Sequence, residues 1–291
     1  MREVAIVGAG RVGRALGRLA REAGYPVGPV VCRTRGRAEE AVAFIGAGRP
    51  GTEPLGAGLT LVCVPDRVIG EVAGALKVPR GAVVAHTCAS RGAEVLRPHR
   101  PAGTMHPLRS FGDPGRAAEL FRGTACAVGG DPEAAEVLEA FARAIGGVPL
   151  RVRAGREALY HAGAVFASNY IVAVLGAALR LFEESGVGAA EALPALRSLA
   201  EGALANVARG GLAGALTGPV ERGDVDTVRA HLEALAAHAP GLEAAYAALG
   251  RLAVEMARAK GAIDAVAAGR LEAILGAAGD RPADGKGTPR R

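Results

Sequence analysis

The sequence of 291 residues has no tryptophan, and aromatic side chains make up only 3% of it. This argues against a protein that stacks the bases of single-stranded nucleic acid on exposed rings. Lysine is almost absent, since Lys77, Lys260 and Lys286 stand against 32 arginines. Very few positions can therefore carry a catalytic lysine.

Cysteine is also scarce, with four residues spread over the chain and no C-x-x-C pair. The spacing suits no zinc site, and three of the four lie in apolar runs that are typical of strands. We therefore expect small buried thiols and no metal site. Half of the residues are hydrophobic, which excludes a chain that is disordered throughout.

The formal net charge of +6 is concentrated at the two ends of the chain. Residues 1–40 hold eight basic and four acidic side chains, and residues 280–291 hold four basic and two acidic ones. The stretch between them is balanced. A nucleic-acid partner needs a broad basic face, so we expect none and instead predict a small anionic ligand near the amino terminus.

One uncharged stretch, residues 162–179, approaches the length of a membrane-spanning helix. Ser168, Asn169 and Tyr170 lie at its middle, and much of the rest is alanine and glycine. We therefore predict a central helix that is buried inside a soluble domain. The amino terminus leads directly into an apolar strand, so we expect no signal peptide, no membrane partner and a cytoplasmic location.

Six apolar runs predict strands, at Val4–Val7, Val27–Cys32, Leu59–Val64, Ala82–His86, Thr124–Val128 and Val148–Val152. Helical patterns alternate with them, which is typical of βαβ units and a parallel sheet. After Arg153 only helical patterns follow, near 156–184, 190–208, 225–238, 241–260 and 264–276.

We therefore predict a doubly wound α/β Rossmann domain over residues 1–153 and an all-α domain over residues 154–278. Residues 279–291 have little apolar content, and we expect them to form a disordered tail.

The segment GAGRVG at residues 8–13 has the form G-x-G-x-x-G and lies between the first strand and the first helix. In this context Gly8 permits a tight turn, Gly10 lets the backbone approach a pyrophosphate, and Gly13 allows close helix–strand packing. Arg11 and Val12 lie at the helix amino terminus, which favours phosphate. The segment predicts a dinucleotide site. The alternative is a glycine-rich turn in a glycine-rich protein.

The residues after the second strand indicate which dinucleotide binds. NAD-specific sites place an acidic residue there, whereas this chain has Arg33, Thr34 and Arg35. Guanidinium and hydroxyl donors suit a 2′-phosphate, so we predict NADP. Surface arginines that contact only water are the alternative. Val64 and Pro65 end the third strand at the same sheet edge, and we expect them to line the cofactor cleft.

His106, Arg109 and Ser110 lie within five positions, on a segment that we expect to be a loop held by Pro107. Carbonyl reduction needs a proton donor near the hydride acceptor, and histidine has a suitable pKa. Arg109 and Ser110 are candidates for holding a carboxylated substrate. The alternative is a structural histidine that bonds the backbone.

His161 lies on the long predicted helix, with Ser168 and Asn169 on the same face. These polar residues face either a catalytic cleft or a buried network. Thr217 and Arg222 belong to the polar, glycine-punctuated loop 216–224, which is either a substrate-side lid or an ordinary loop with a helix cap.

Three segments resemble those of a known family: residues 106–111 (HPLRSF), 160–170 (YHAGAVFASNY) and 216–224 (LTGPVERGD). They look like the Rossmann-like family with the C-terminal domain of unknown function 2520, within the 6-phosphogluconate dehydrogenase-like superfamily. The resemblance extends over residues 3–276. It implies hydride transfer from NADPH to a small carbonyl or imine, and a homodimer formed through the helical domain.

The chain departs from that superfamily at its catalytic lysine. Hydroxyacid dehydrogenases and ketopantoate reductases carry a lysine on the long helix, where this chain has His161. The resemblance then leaves His161, His106 or water to supply a proton. We predict an NADP-dependent oxidoreductase that acts on a small, carboxylated substrate. The alternatives are an NADP-binding sensor or partner protein without turnover, and an activity like that of prephenate dehydrogenase.

Overall fold

A computed structural model describes residues 1–279 of the chain, so the predicted tail beyond Gly279 lies outside the described residues. The chain consists of two compact units, and the boundary between them lies between Ser168 and Asn169. The last strand of the first unit ends at Arg151, and one further helix belongs to the same unit. The boundary at residue 153 therefore stays a prediction.

The first unit contains one sheet of eight strands, in the spatial order β3-β2-β1-β4-β5-β6-β7-β8. Neighbouring strands are parallel except β6 and β7. The strands are β1 (Val4–Val7), β2 (Val27–Val31), β3 (Arg49–Gly51), β4 (Leu59–Val62), β5 (Val83–His86), β6 (Ala102–Pro107), β7 (Ala125–Gly130) and β8 (Val148–Arg151).

Six helices accompany the sheet: α1 (Arg11–Glu22), α2 (Arg35–Ile45), α3 (Ile69–Ala75), α4 (Pro114–Glu119), α5 (Pro132–Ala144) and α6 (Glu157–Phe166). Side chains alternate between the two sheet faces along each strand. Leu61 therefore packs into the larger core cluster with Leu16 and Phe141, whereas Val62 packs into a second cluster with Ile69. The predicted α/β Rossmann class is confirmed.

The second unit is helical, as predicted. Its helices are α7 (Asn169–Glu184), α8 (Ala189–Ala215), α9 (Val225–His238), α10 (Glu243–Ala259) and α11 (Ala265–Gly279). Three of them, α9, α10 and α11, share a core that includes Val228, Val254 and Leu271. The backbone of α8 leaves helical geometry at Gly211, where φ is 68°.

The prediction of one helix over 156–184 is wrong in detail, because α6 ends at Phe166 and α7 begins at Asn169. The Ser168 hydroxyl donates a hydrogen bond of 2.7 Å to the carbonyl of Ala164. Such a bond offers the backbone an alternative to the regular helical ladder. The Ser168 N–H bonds the carbonyl of Val165, three residues back rather than four.

The predicted burial of this segment is also wrong for the single chain. Neither α6 nor α7 contains a buried residue. An 18-residue window within Glu157–Glu184 has a mean hydropathy of 1.8, and the stretch is long and apolar enough to cross a membrane, by length and composition alone. The apolar sequence thus predicted a buried helix, but within residues 1–279 the side chains of α6 and α7 are at most partly buried.

Candidate functional site

The three glycines of the segment GAGRVG, between β1 and α1, have different surroundings. Gly8 has φ +93°, and a Cβ there would lie 2.6 Å from Val64 Cγ1. A Cβ on Gly13 would lie 2.5 Å from the carbonyl oxygen of Gly8, whereas a Cβ on Gly10 would meet nothing within 4 Å. Gly8 and Gly13 are therefore needed for the fold, and Gly10 faces open space.

The open space beside Gly10 is a cavity of about 770 Å³. It lies at the carboxyl ends of β1, β2 and β4. The strand order reverses here, because β2 and β3 lie on one side of β1 and β4 to β8 lie on the other. Ligands of open α/β sheets bind at this switch point. The lining includes Gly8, Ala9, Gly10, Arg11, Arg14, Cys32, Arg33, Arg37, Cys63, Val64, Pro65 and Arg67, together with Glu40 and Glu71.

Positive charge prevails in this cavity, with five arginines against two glutamates. The charges of Arg14 and Glu40 compensate each other, because Arg14 Nη2 lies 3.2 Å from Glu40 Oε2. No acidic residue occupies the first turn of α1. The backbone cradle at Gly10 and the surrounding guanidinium groups fit a phosphate-bearing dinucleotide.

The predicted cofactor residues divide into two groups by position. Those that line this cavity are Gly8, Gly10, Arg11, Arg33, Val64 and Pro65. Gly13 packs beneath the turn, Val12 lines a neighbouring cavity, and Thr34 precedes α2. Arg35 bonds Glu39 and the carbonyl of Pro50, outside the cavity lining. Its part in cofactor binding stays a prediction.

A second cavity of about 350 Å³ adjoins the first, since Arg11 lines both. The carboxyl ends of β5 and β6, together with Val12 of α1, supply the rest of its wall. Its lining comprises Arg11, Val12, Thr87, His106, Pro107, Arg109, Ser110, Phe111 and Gly112. The predicted candidates His106, Arg109 and Ser110 are thus brought together, and Arg109 Nη1 lies 3.4 Å from the Thr124 hydroxyl.

His106 does not lie on a loop, which corrects the prediction. It belongs to β6 and pairs with Ala127 of β7. Its Nδ1 lies 3.0 Å from the hydroxyl of Tyr160 on α6. Burial and, to a lesser extent, the nearby His161 lower the pKa of His106 to about 4, against a smaller opposite effect of Asp66.

His161 follows Tyr160 on α6 and lies next to His106, with ring centroids 6.4 Å apart. Its Nδ1 is buried and has no hydrogen-bond partner within residues 1–279. Ser168 ends the first unit, and its hydroxyl bonds the backbone of α6. The other candidates, Asn169, Thr217 and Arg222, belong to the second unit, so their catalytic and substrate-binding parts stay predictions.

His86 has a structural position at the end of β5. Its side chain is fully buried, its Nδ1 accepts from the Cys88 N–H at 3.2 Å, and its Nε2 lies 3.0 Å from the Gly92 carbonyl. Because the backbone N–H can only donate, Nε2 carries the proton and donates to Gly92. Burial lowers the pKa of His86. The ring therefore holds the turn that presents Thr87 to the second cavity.

The loop of residues 216–224 is anchored within the second unit. Lys260 Nζ donates to the carbonyl of Leu216 at 3.0 Å and lies 2.9 Å from Glu221 Oε1. Asp224 caps α9, because its carboxylate accepts from the N–H and the hydroxyl of Thr227. One of the three lysines of the chain thus has a structural use.

Comparison with known proteins identifies both halves of the chain. Residues 1–109 match the family Rossmann-like domain, and residues 124–253 match the family Domain of unknown function (DUF2520). The chain therefore carries a Rossmann-like domain followed by a DUF2520 domain, in the layout that the sequence resemblance implied. No curated protein matches the chain.

Several solved structures share the fold. Protein TM1727 from Thermotoga maritima is 25% identical, with a TM-score of 0.75 over 88% of this chain and 99% of its own. The candidate NADP oxidoreductase BF3122 from Bacteroides fragilis is 22% identical, with a TM-score of 0.63 over 89% and 97%. A 1-pyrroline-5-carboxylate reductase from Streptococcus pyogenes is 14% identical, with a TM-score of 0.62 over 89% and 98%.

Sequence reasoning passed over several residues of the two cavities. Arg14 and Arg67 line the larger cavity but lie outside the fingerprint and the second-strand motif, so no spacing rule identified them. Tyr160 was read only as part of a family segment, although its hydroxyl contacts His106 across 54 residues of sequence.

Proposed function

We propose that this protein is an NADP-dependent oxidoreductase that transfers a hydride between NADPH and a small, carboxylated carbonyl or imine. The observation that carries the proposal is the pair of adjoining cavities along one sheet edge. The larger combines the Gly10 cradle with arginines, and the smaller combines His106 with Arg109. Arg11 is common to both.

The residues of the larger cavity would hold the dinucleotide. The backbone around Gly10 and the amino terminus of α1 would bind the pyrophosphate, and Arg33 and Arg37 would bind the 2′-phosphate. When bound, reduced nicotinamide supplies a hydride to an electrophilic carbon. Thr87 and Pro107 would then border the reacting carbon, since both line the smaller cavity.

The residues of the smaller cavity would hold the substrate. Arg109 would pair with a carboxylate, and its contact with Thr124 restricts the guanidinium. His106 is neutral at pH 7 because its pKa is about 4. It would therefore offer a hydrogen bond, and not a positive charge, to the oxygen or nitrogen that gains electrons. Such a reaction agrees with the candidate NADP oxidoreductase and the 1-pyrroline-5-carboxylate reductase that share this fold.

Calorimetric titration with NADPH and NADH tests the cofactor. We expect NADPH to bind about tenfold or more tightly, because the 2′-phosphate gains charge-assisted hydrogen bonds. Arg33→Ala and Arg37→Ala should each reduce this preference, and Arg35→Ala, whose side chain bonds Glu39, is the matched comparison. Equal affinity for the two dinucleotides in the wild type would contradict the proposal.

Turnover is tested separately, with NADPH and a panel of 2-keto acids and cyclic imines. Oxidation of NADPH that depends on a carboxylated member of the panel supports the proposal. Tight NADPH binding without turnover on any member favours the alternative of a cofactor-binding sensor or partner protein.

We also propose that the helical unit forms a homodimer, in a cytoplasmic protein. Large apolar side chains are exposed along α7 and α8, among them Val172 and Leu199 at 71% each. A second copy offers an equally apolar surface, and burial of such surfaces stabilises by roughly 25 cal/mol per Å². Ser168 and Asn169 interrupt the apolar stretch, which favours a protein partner over a lipid one.

Sedimentation velocity tests the dimer. We expect the wild type to sediment as a dimer and both Val172→Glu and Leu199→Glu to shift it toward the monomer. Val266→Glu is the control, since Val266 is also 71% exposed but lies on α11. A monomeric wild type that binds vesicles of neutral phospholipid would replace this proposal with a membrane surface.

A further inference from the structure

The hydroxyl of Tyr160 and the Nδ1 of His106 form a hydrogen bond of 3.0 Å. The two rings meet edge to face, with centroids 6.0 Å apart. Both residues are partly buried, and the backbone of His106 pairs with Ala127 of β7. The contact therefore joins a rigid strand to the helix α6 next to the smaller cavity.

Which partner donates follows from the chemistry of the two groups. A phenol is a strong donor and a weak acceptor, whereas the unprotonated nitrogen of a neutral imidazole is a strong acceptor. If the histidine donated instead, the Tyr160 proton would need another acceptor. Within residues 1–279 the Tyr160 hydroxyl has no other hydrogen-bond partner.

The surroundings keep both groups in the required protonation states. Burial raises the pKa of Tyr160 to about 12, so its hydroxyl keeps its proton. Burial and the adjacent His161 lower the pKa of His106 to about 4, and only Asp66 acts in the opposite direction. A neutral imidazole then has one proton, on whichever nitrogen is not already an acceptor.

We propose that Tyr160 is a positioning residue, whose hydroxyl donates to Nδ1 of His106 and thereby places the single imidazole proton on Nε2. Nε2 has no hydrogen-bond partner within residues 1–279, and His106 lines the smaller cavity. The ring thus presents an N–H donor to a ligand. The use of this N–H donor in a reduction rests on the proposed function, whereas the tautomer of His106 does not.

Side-chain ¹⁵N NMR measures the tautomer directly, without cofactor or substrate. The chain has six histidines, so the long-range ¹H–¹⁵N spectrum of histidine-labelled protein is simple. The His106 signals are identified by their loss in His106→Gln. At pH 7 we expect the wild-type His106 to show the neutral pattern with the proton on Nε2. A proton on Nδ1, or an imidazolium pattern, would overturn the proposal.

The chain offers a matched control for the hydroxyl. Tyr246 and His231 of the second unit form the same contact, with a distance of 2.8 Å between the hydroxyl and Nδ1 and an edge angle of 88°. Tyr160→Phe should change the ¹⁵N shifts of His106 toward a mixture of tautomers and leave His231 unchanged. Tyr246→Phe should do the reverse. Unchanged His106 shifts in Tyr160→Phe would refute the assignment.

Kinetics then connect the tautomer to the reaction. We expect Tyr160→Phe to lower kcat about tenfold with KM nearly unchanged, since the loss of one oriented hydrogen bond weakens the donor and not substrate binding. The two failures are distinguishable. If no substrate turns over, the proposed function fails and the NMR result still stands. If His106 changes tautomer but kcat does not, the orientation has no use in the reaction.

Discussion

A methyl group added at Gly10 should weaken NADPH binding, whereas the same group added at Gly13 should lower the stability of the fold. Both glycines belong to the turn between β1 and α1. The Cβ of an alanine at position 10 would meet no atom within 4 Å, whereas one at position 13 would lie 2.5 Å from the Gly8 carbonyl oxygen. The pair therefore separates a residue that faces the larger cavity from one that supports the fold.

The magnitudes follow from these distances. Gly10 has an extended backbone, with φ −74°, which alanine adopts without strain. We expect Gly10→Ala to change the free energy of unfolding by less than about 1 kcal/mol. The methyl group would keep a phosphate from the backbone and remove at least one charge-assisted hydrogen bond of about 1.5–3 kcal/mol. NADPH affinity should therefore fall about 10- to 100-fold.

Gly13→Ala should act on stability. Alanine gains about 1 kcal/mol of helix propensity over glycine. The clash involves a backbone oxygen that cannot move freely, and overpacking of this kind costs about 1–3 kcal/mol or more. Because the contact with the oxygen is only 2.5 Å, we place the cost at the upper end of this range and expect a net loss of about 2 kcal/mol.

Urea unfolding and calorimetric titration with NADPH, on both variants and the wild type, test the pair. The reasoning is refuted if Gly10→Ala binds NADPH as tightly as the wild type. It is equally refuted if Gly10→Ala unfolds as readily as Gly13→Ala, because the open space beside Gly10 would then not exist.

Further predictions concern pH and the anchored loop. His106 has a pKa of about 4 when folded and 6.5 in its ordinary state, so the unfolded chain binds more protons between these values and acid favours unfolding. From pH 7 to pH 5, urea unfolding should show that the wild type loses about 1 kcal/mol more stability than His106→Gln, after a reduction for partial solvent screening. Lys260→Met removes the contacts to Leu216 and Glu221, and hydrogen exchange in residues 216–224 should become faster while the second unit loses about 1 kcal/mol. Asp224→Ala should cost about 1 kcal/mol through the lost cap of α9, and Asp224→Asn should cost less. Equal losses for the two Asp224 variants would contradict the capping role.

The sequence was sufficient for the α/β pattern because most strands of the first unit are short apolar runs. It missed β3 and β6, because their residues RPG and AGTMHP contain glycine and proline and form no continuous apolar run. β6 becomes a strand because β5 and β7 supply hydrogen bonds on both sides. Pairing of this kind depends on strands that are distant in sequence, so local composition does not reveal it.

Helical periodicity in the sequence predicts where helices lie but not what covers their apolar faces. It identified α9 at residues 225–238, and the structure has Val225–His238. It also identified the apolar character of residues 157–184 but predicted that the same chain buries them, which is wrong for the described residues. An apolar stripe shows that a surface is to be covered and does not show by what. A homodimer would reconcile the two observations.

The placement of His106 on a strand changes what its neighbours can do. On a loop, the ring could turn freely, and either nitrogen could face the cavity. On β6, the backbone at His106 is fixed by pairing with β7, so one hydrogen bond is sufficient to decide the orientation and the tautomer. That bond comes from Tyr160, which no local motif connects with His106. The glycine turn could be predicted because its residues are contiguous in sequence, whereas the orientation proposed for His106 depends on a contact that only the fold creates.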